Sequence, residues 1–476
     1  ALIILSIITG LIFTLRQANE TRRQRDIAEK RFNDVRKLST SMLFEVSPKI
    51  ENLSGSIEAR ELLVKNALEY LDSLANESND DSSLQFELAS AYEKIGDLQG
   101  SPNKPNLSDF TGAIESYEKA NNIRQNLPKT DENLFLLAKN FLQLSAVRYV
   151  QNDVKGALDD SAESLKIFEN LTAKTDSVEL KNEYLEARID NAQIYADNNQ
   201  YKTAIPLFEK ILSGIIASND KENRILRVRA ESLYANALSW DGRQQEAEAF
   251  TEKITAAAES ILGDFPNDAQ IQQQIWRSYN LLGTIYESID NPRALEISKK
   301  ALKIAQAAVA YDEANTQAKQ NLAKSFSRTG NCFVLTNKLS DALDNFKKSE
   351  EILKNLVEKE PKNLTYQKDF GRLFIRMGDF YRKSGDLAAA LDNYEKSVFY
   401  FEKIENADEK NTLVRRDAAQ SMKNVAEIQF LLKQNEKAKQ SFQKSFDILN
   451  DLKSKNALGE FDFKMLDEVQ NNLQKL

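Results

Sequence analysis

The sequence predicts an all-α protein, a right-handed superhelical solenoid of stacked helix pairs. Three observations point there. Glycine (15) and proline (8) are scarce in 476 residues, while charged residues make up 29% and apolar residues 41%; few breakers and many helix formers favour long helices. One line recurs along the chain: "GAIESYEKA" (112–120), "DALDNFKKS" (341–349), "AALDNYEKS" (389–397) and "KAKQSFQKS" (437–445). Its marker alanines, Ala113, Ala157, Ala204, Ala247, Ala294, Ala342, Ala390 and Ala438, return roughly every 43–48 residues, the period of a repeat array.

The elements follow in order. In each line an alanine precedes an aromatic by four residues, and Ala or Ser follows three later. Those offsets fall on one helical face, and the small residues admit a neighbouring helix. The preceding helix has its own signature: "YNLLGTIY" (279–286), "FSRTGNCF" (326–333) and "FIRMGDFY" (374–381). Gly283, Gly330 and Gly378 are expected where two helices nearly touch. Ser145 holds a glycine-type slot and Leu238 an aromatic one, so repeats two to four are degenerate. Turn signals are read at Gly96-Asp97, Asn152-Asp153, Asp241-Gly242 and Gly385-Asp386. The expected organisation is an array of about eight helix pairs over 80–457, a connecting helical segment over 47–79 and a C-terminal capping helix over 458–476.

The signatures resemble the tetratricopeptide repeat. Tyr279, Leu282, Gly283 and Tyr286 fit its first-helix pattern, as do Phe374, Met377, Gly378 and Tyr381; Ala390 and Tyr394 fit the second. The departure is length: that repeat has 34 residues, so each helix here is about two turns longer. The resemblance implies a concave inner wall that binds segments of other proteins; a mere spacer is the alternative. In that repeat the second, fifth, ninth and twelfth positions of each first helix face the wall. Counting back from the three glycines, the second positions are Arg277, Lys324 and Arg372. Asn280 and Asn331 lie nearby as neutral donors, and Arg382 and Asp379 add charge. This is a candidate peptide-binding ladder, suited to an acidic peptide or a free C-terminus. The alternative is solvated side chains paired with Glu287 or Asp379.

The chain opens "ALIILSIITGLIFTL", uncharged over 1–15, followed by Arg16, Arg22, Arg23 and Arg25. The apolar run is short of the ~20 residues a span requires and is read as the end of a transmembrane helix. A core helix is the alternative. Residues 16–46 read as a charged juxtamembrane stalk, either pairing with a second copy through Ile27, Val35 and Leu38 or standing alone. Residues 30–120 are similar to the segment after the membrane helix in bacterial serine/threonine protein kinases with tetratricopeptide C-terminal halves. Arg31-Phe32-Asn33-Asp34-Val35-Arg36-Lys37-Leu38, Ala59-Arg60-Glu61-Leu62-Leu63-Val64 and Ala67-Leu68-Glu69-Tyr70-Leu71-Asp72 carry it. Ser54 stands where that family has proline. The resemblance implies a single-pass protein of a bacterial cytoplasmic membrane, with the repeats extracytoplasmic and signal transduction to a kinase domain upstream. The arginines after Leu15 argue for the opposite orientation.

Composition excludes other chemistries. With no histidine and one cysteine, Cys332, no His-based triad or metal site and no Cys-rich zinc site can form. A net charge of −8 gives no support to nucleic-acid binding. Asp369-Phe370-Gly371 spells a kinase motif but sits in a predicted helix without the catalytic loop. The residues shown are therefore expected to hold no cofactor and no catalytic site. The kinase resemblance implies ATP and magnesium only for a kinase domain upstream of these residues. The two remaining readings are the interaction region of such a kinase and a tethered scaffold with no kinase on the chain.

Overall fold

The structure, a computed structural model, describes residues 16–24, 30, 35–51, 53, 55–77, 81–102, 105–215, 220–407, 412–455, 458 and 460–476. Every regular element among them is a helix. A helical stretch with a π-turn at Met42–Val46 leads to α1 (Ile57–Glu77). Eight pairs follow: α2 and α3 (Ser82–Gly100, Phe110–Asn126), α4 and α5 (Asp131–Val150, Val154–Thr172), α6 and α7 (Val178–Asp197, Tyr201–Gly214), and α8 and α9 (Lys221–Trp240, Gln244–Asp264). Then come α10 and α11 (Ala269–Glu287, Asn291–Tyr311), α12 and α13 (Thr316–Leu335, Leu339–Lys359), α14 and α15 (Leu364–Ser384, Leu387–Ala407), and α16 and α17 (Thr412–Leu431, Asn435–Ser454). A last helix, α18 (Glu460–Lys475), packs on α17.

Helix starts are set by short polar side chains. Asp81, Asp109, Thr130, Asp153, Ser177, Asp220, Asp268 and Asn315 each accept an amide of the first turn, worth about 1 kcal/mol apiece. The hairpin inside most pairs turns on one left-handed residue: Asn152 (φ 60°), Asn199 (58°), Gly242 (83°), Asn337 (59°), Gly385 (87°) and Lys433 (62°). Asn and Gly adopt that conformation at little cost, and Lys433 less readily. Gly96-Asp97, read as a turn, instead lies inside α2; its glycine makes room for a ring rather than for a reversal.

That ring is Tyr117. A Cβ on Gly96 would come within 2.8 Å of it, one on Gly330 within 2.7 Å of Phe346, and one on Gly378 within 2.4 Å of Tyr394. Gly283 differs: a Cβ there meets Arg328 Nη1 at 3.0 Å. The reason is in α11, where the slot four residues after Ala294 holds Ser298, so no ring presses on the glycine. Phe346 and the fully buried Ala204, Ala247, Ala294 and Ala342 belong to one core from Leu185 to Phe380, while Tyr117 and Tyr394 pack with their own marker alanines, Ala113 and Ala390, in smaller clusters before and after it. Asp369-Phe370-Gly371 lies in α14, where Phe370 is buried and Gly371 abuts Phe401; the triplet is part of the packing.

The expected single-pass membrane protein is corrected here. Among the described residues no helix is long and apolar enough to cross a membrane, and residues 1–15, to which the span and the membrane contact were assigned, lie outside them. Ile27 of the expected stalk contact also lies outside; Val35 and Leu38 are exposed. Residues 35–50 do not stand free. Leu43 is 1% exposed and packs with Val64, Leu88 and Tyr92 of α1 and α2, and Arg36 Nε donates to Glu87 Oε2 at 2.7 Å.

Candidate ligand-binding groove

The first helices of successive pairs are linked side by side through polar groups. Trp276 Nε1 donates to Ser325 Oγ at 2.8 Å, Asn321 Nδ2 to Gln273 Oε1 at 2.7 Å, Arg328 Nη2 to Thr284 Oγ1 at 2.9 Å and Arg376 Nη1 to Ser327 Oγ at 2.9 Å. These bonds join residues 44 to 49 positions apart, one repeat. These directional bonds add to the apolar packing of the same helices and keep polar side chains toward the open side.

One face of α8, α10, α12 and α14 lines a concavity of about 550 Å³. Arg277, Asn280, Lys324 and Arg372, expected on the ladder, all line it. Arg229, Arg328 and Arg376 join them. Arg328 and Arg376 sit four residues after Lys324 and Arg372, on the same helical face, a spacing legible in the sequence. Arg229 is also the ladder rung of α8. It was missed because Ala235 fills the glycine slot, and counting back six from Ala235 gives Arg229.

The cations differ in their partners. Arg229 reaches Glu186 at 3.3 Å and pairs with Asp190. Arg328 lies 3.2 Å from Glu287. Arg372 pairs with Asp417 at 2.8 Å and remains 46% exposed. Lys324 is 3.8 Å from the buried Asp369 and lies over the Trp276 ring. Arg277 and Arg376 have no carboxylate within ion-pair distance among the described residues. Burial lowers the pKa of both, and a neighbouring guanidinium lowers it further: Arg229 beside Arg277, Arg328 beside Arg376. Lys368, one turn before Arg372, is pushed down to about 8 by burial and by Arg372.

The other three ladder residues lie elsewhere. Asn331 faces Glu287 at 3.4 Å. Asp379 accepts the Tyr394 hydroxyl at 2.6 Å, as Asp97 accepts that of Tyr117 at 2.7 Å. The aspartate after the glycine thus secures the ring that the glycine admits. Arg382 pairs with Glu427 of the next first helix at 2.7 Å. Arg382 and Arg372 therefore also bind repeat to repeat. Among the described residues no group of three or more acidic or cysteine side chains is placed to hold a metal. Cys332 is buried, and burial raises its thiol pKa to about 11.

Fold and groove together define a helical-repeat solenoid with a charged concave wall. No protein-family model matches the chain, and no curated protein matches it. Solved structures of tetratricopeptide-like helical-repeat proteins do. A Rap protein complexed with competence and sporulation factor is 14% identical, with 88% of this chain and 99% of that one covered and a TM-score of 0.46. NprR in complex with its cognate peptide NprX is 15% identical over 68% and 84%, with a TM-score of 0.40. A tetratricopeptide repeat protein from Parabacteroides merdae is 15% identical over 72% and 99%, with a TM-score of 0.37. The solenoid assignment stands on the helix pairing of this chain itself.

Proposed function

We propose that the array is a protein-interaction scaffold whose concave groove binds a peptide segment bearing carboxylates. The observation that carries this is the pair Arg277 and Arg376. Both face the same concavity, neither is ion-paired among the described residues, and each lies beside a second guanidinium, with Asp190, Glu186 and Glu287 acting on them only from beyond ion-pair distance. An incoming carboxylate would accept charge-assisted hydrogen bonds from them and relieve that repulsion. The test is fluorescence anisotropy of the full chain with a labelled decapeptide ending in Asp-Glu-Glu-Asp. Binding that weakens as salt rises, and is lost in Arg277→Glu/Arg376→Glu, supports the groove. Equal affinity in that variant sinks it.

The finer reading couples ligand in the groove to a serine/threonine kinase domain encoded upstream of Ala1. It rests on the resemblance over residues 30–120. The gene decides it: a reading frame that continues upstream of Ala1 into a kinase domain supports the coupling. A scaffold with no kinase on the same chain is the outcome if it does not.

A further inference from the structure

The groove is not uniformly basic. A second concavity, also about 550 Å³, adjoins the first and shares Arg229 and Gln274 with it. It is lined from the N-terminal halves of α6, α8 and α10, and its charge is of the opposite sign. Glu179, Glu183, Glu186, Asp220 and Glu222 face it against Lys221 and Arg229. In the first concavity six cations face Asp369. The seam between the two is the cluster of Arg229 with Glu186 and Asp190.

Much of this acidic charge is already engaged. Glu183 pairs with Lys139 at 2.7 Å, and Asp220 caps α8 and accepts from Asn182 at 3.0 Å. Glu179 and Glu222 have no ion-pair partner among the described residues. Both sit in first helical turns, where the helix dipole favours a carboxylate on its own account. Glu186 is different. It lies further into α6, its side chain is 44% exposed, and its partner Arg229 is shared with Asp190. Burial and the Asp190 charge raise its pKa. The acidic basin therefore carries the same like-charge repulsion as the basic one, with the sign reversed.

We infer that the groove takes a peptide in which positive and negative side chains are segregated into two blocks, the cationic block over Glu179, Glu186 and Glu222 and the carboxylate block over Arg277 and Arg376. This rests on the peptide-binding reading and adds the charge order of the ligand. A polyanion that follows the whole groove would meet the acidic basin, and a polycation the basic one. Only a segregated segment neutralises both. From α6, which carries Glu179 and Glu186, to α14, the groove crosses four helix spacings of 8–10 Å, roughly 36 Å. An extended chain of about ten or eleven residues covers that distance, so one short linear segment reaches both basins. The field between two opposed basins also orients the segment before contact.

The experiment compares three labelled peptides on the full chain at low salt. One is a block peptide, three lysines, four Gly/Ser residues and three glutamates. The second has the same residues with lysine and glutamate alternating. The third is the Asp-Glu-Glu-Asp decapeptide. The block peptide is expected to bind about tenfold tighter than the alternating one, which is about 1.4 kcal/mol. Glu179→Gln/Glu186→Gln/Glu222→Gln should erase that difference while the acidic decapeptide binds as before or better. Circular dichroism and the melting curve of the variant confirm that it folds, and Glu179→Gln/Glu222→Gln, both at exposed positions, should show a partial loss if the triple variant does not fold. Equal binding of block and alternating peptides overturns this inference and leaves the groove reading intact. No binding of any peptide overturns both. Tighter binding of a single-stranded RNA decamer than of the block peptide overturns the assignment of a peptide ligand.

Discussion

The backbone amide of Gly55 donates a 3.1 Å hydrogen bond to Glu360 Oε1, on a residue 305 positions later. Glu360 Oε2 accepts from Asn363 Nδ2 at 3.0 Å, and Lys362 lies 3.3 Å from Glu61. Arg60, 2% exposed, is not ion-paired with Glu360, itself 3% exposed, but the carboxylate's charge favours its guanidinium against burial. The start of α1 thus closes against the turn between α13 and α14, next to the helix that carries Arg372 and Arg376. The N-terminal segment and the groove wall share one contact.

Removing Glu360 takes the acceptor from the Gly55 amide and a favourable charge from near the buried Arg60 guanidinium. Glu360→Ala is expected to cost about 1–2 kcal/mol at that contact. Because repeat arrays lose structure locally, the loss should appear as faster amide hydrogen exchange in 57–77 and 360–366. Protection in 412–454 should be unchanged. Unaltered exchange in 57–77 would show that the contact does not hold α1.

The glycines separate by what their missing Cβ would touch. Gly330→Ala and Gly378→Ala drive a methyl into Phe346 and Tyr394. Overpacking of this kind costs about 1–3 kcal/mol, and the urea midpoint should fall. Gly283→Ala meets the flexible end of Arg328 and should be neutral or stabilising, since alanine suits a helix interior better by about 1 kcal/mol. Equal destabilisation at all three positions would contradict the ring-in-slot packing.

Ligand affinity should depend on pH through Lys368. Its folded pKa of about 8 lies below the usual lysine value because burial and Arg372 disfavour the charge. Lys368 does not line the concavity, but it feels the charges of Arg372 and Lys324, which do. A carboxylate bound beside those two favours its charged form, so binding takes up a proton near pH 8 and affinity falls as pH rises through that range. Calorimetry in buffers of different ionisation enthalpy reads the proton directly. In Lys368→Met the dependence between pH 7 and 9 should vanish; an unchanged slope would place the titrating group elsewhere. The same shift affects folding in the opposite sense. The unfolded lysine holds its proton up to its ordinary pKa, so the stability lost to the depressed pKa is recovered as pH rises above about 8.

Cys332 reports on the middle of the array. It is fully buried and its thiol is pushed to about 11 by burial, so little thiolate is present at neutral pH. A thiol-reactive probe should label the native chain slowly and the urea-unfolded chain at once. Rapid native labelling would mean that α12 opens far more readily than its packing against Phe346 allows.

The sequence by itself determined the local architecture. Spacing of alanine, aromatic and glycine sets which helix faces meet, and the Asp, Ser, Thr and Asn caps and left-handed Asn and Gly residues set where helices begin and turn. Those are interactions within one helix or one pair, and their period is written in consecutive residues. Arg277, Lys324 and Arg372 could be placed on one wall for the same reason. What the tertiary structure decided is which charges remain available there. Asp417 takes Arg372 and Glu427 takes Arg382, each from the next repeat, and Asp379 answers Tyr394. Arg229 enters the wall through a repeat whose glycine slot holds alanine. The closure of Gly55 and Arg60 on Glu360 spans some three hundred residues. Such pairings depend on how far the solenoid curves. That curvature is the sum of small rotations at every helix interface, and no single stretch of sequence encodes it.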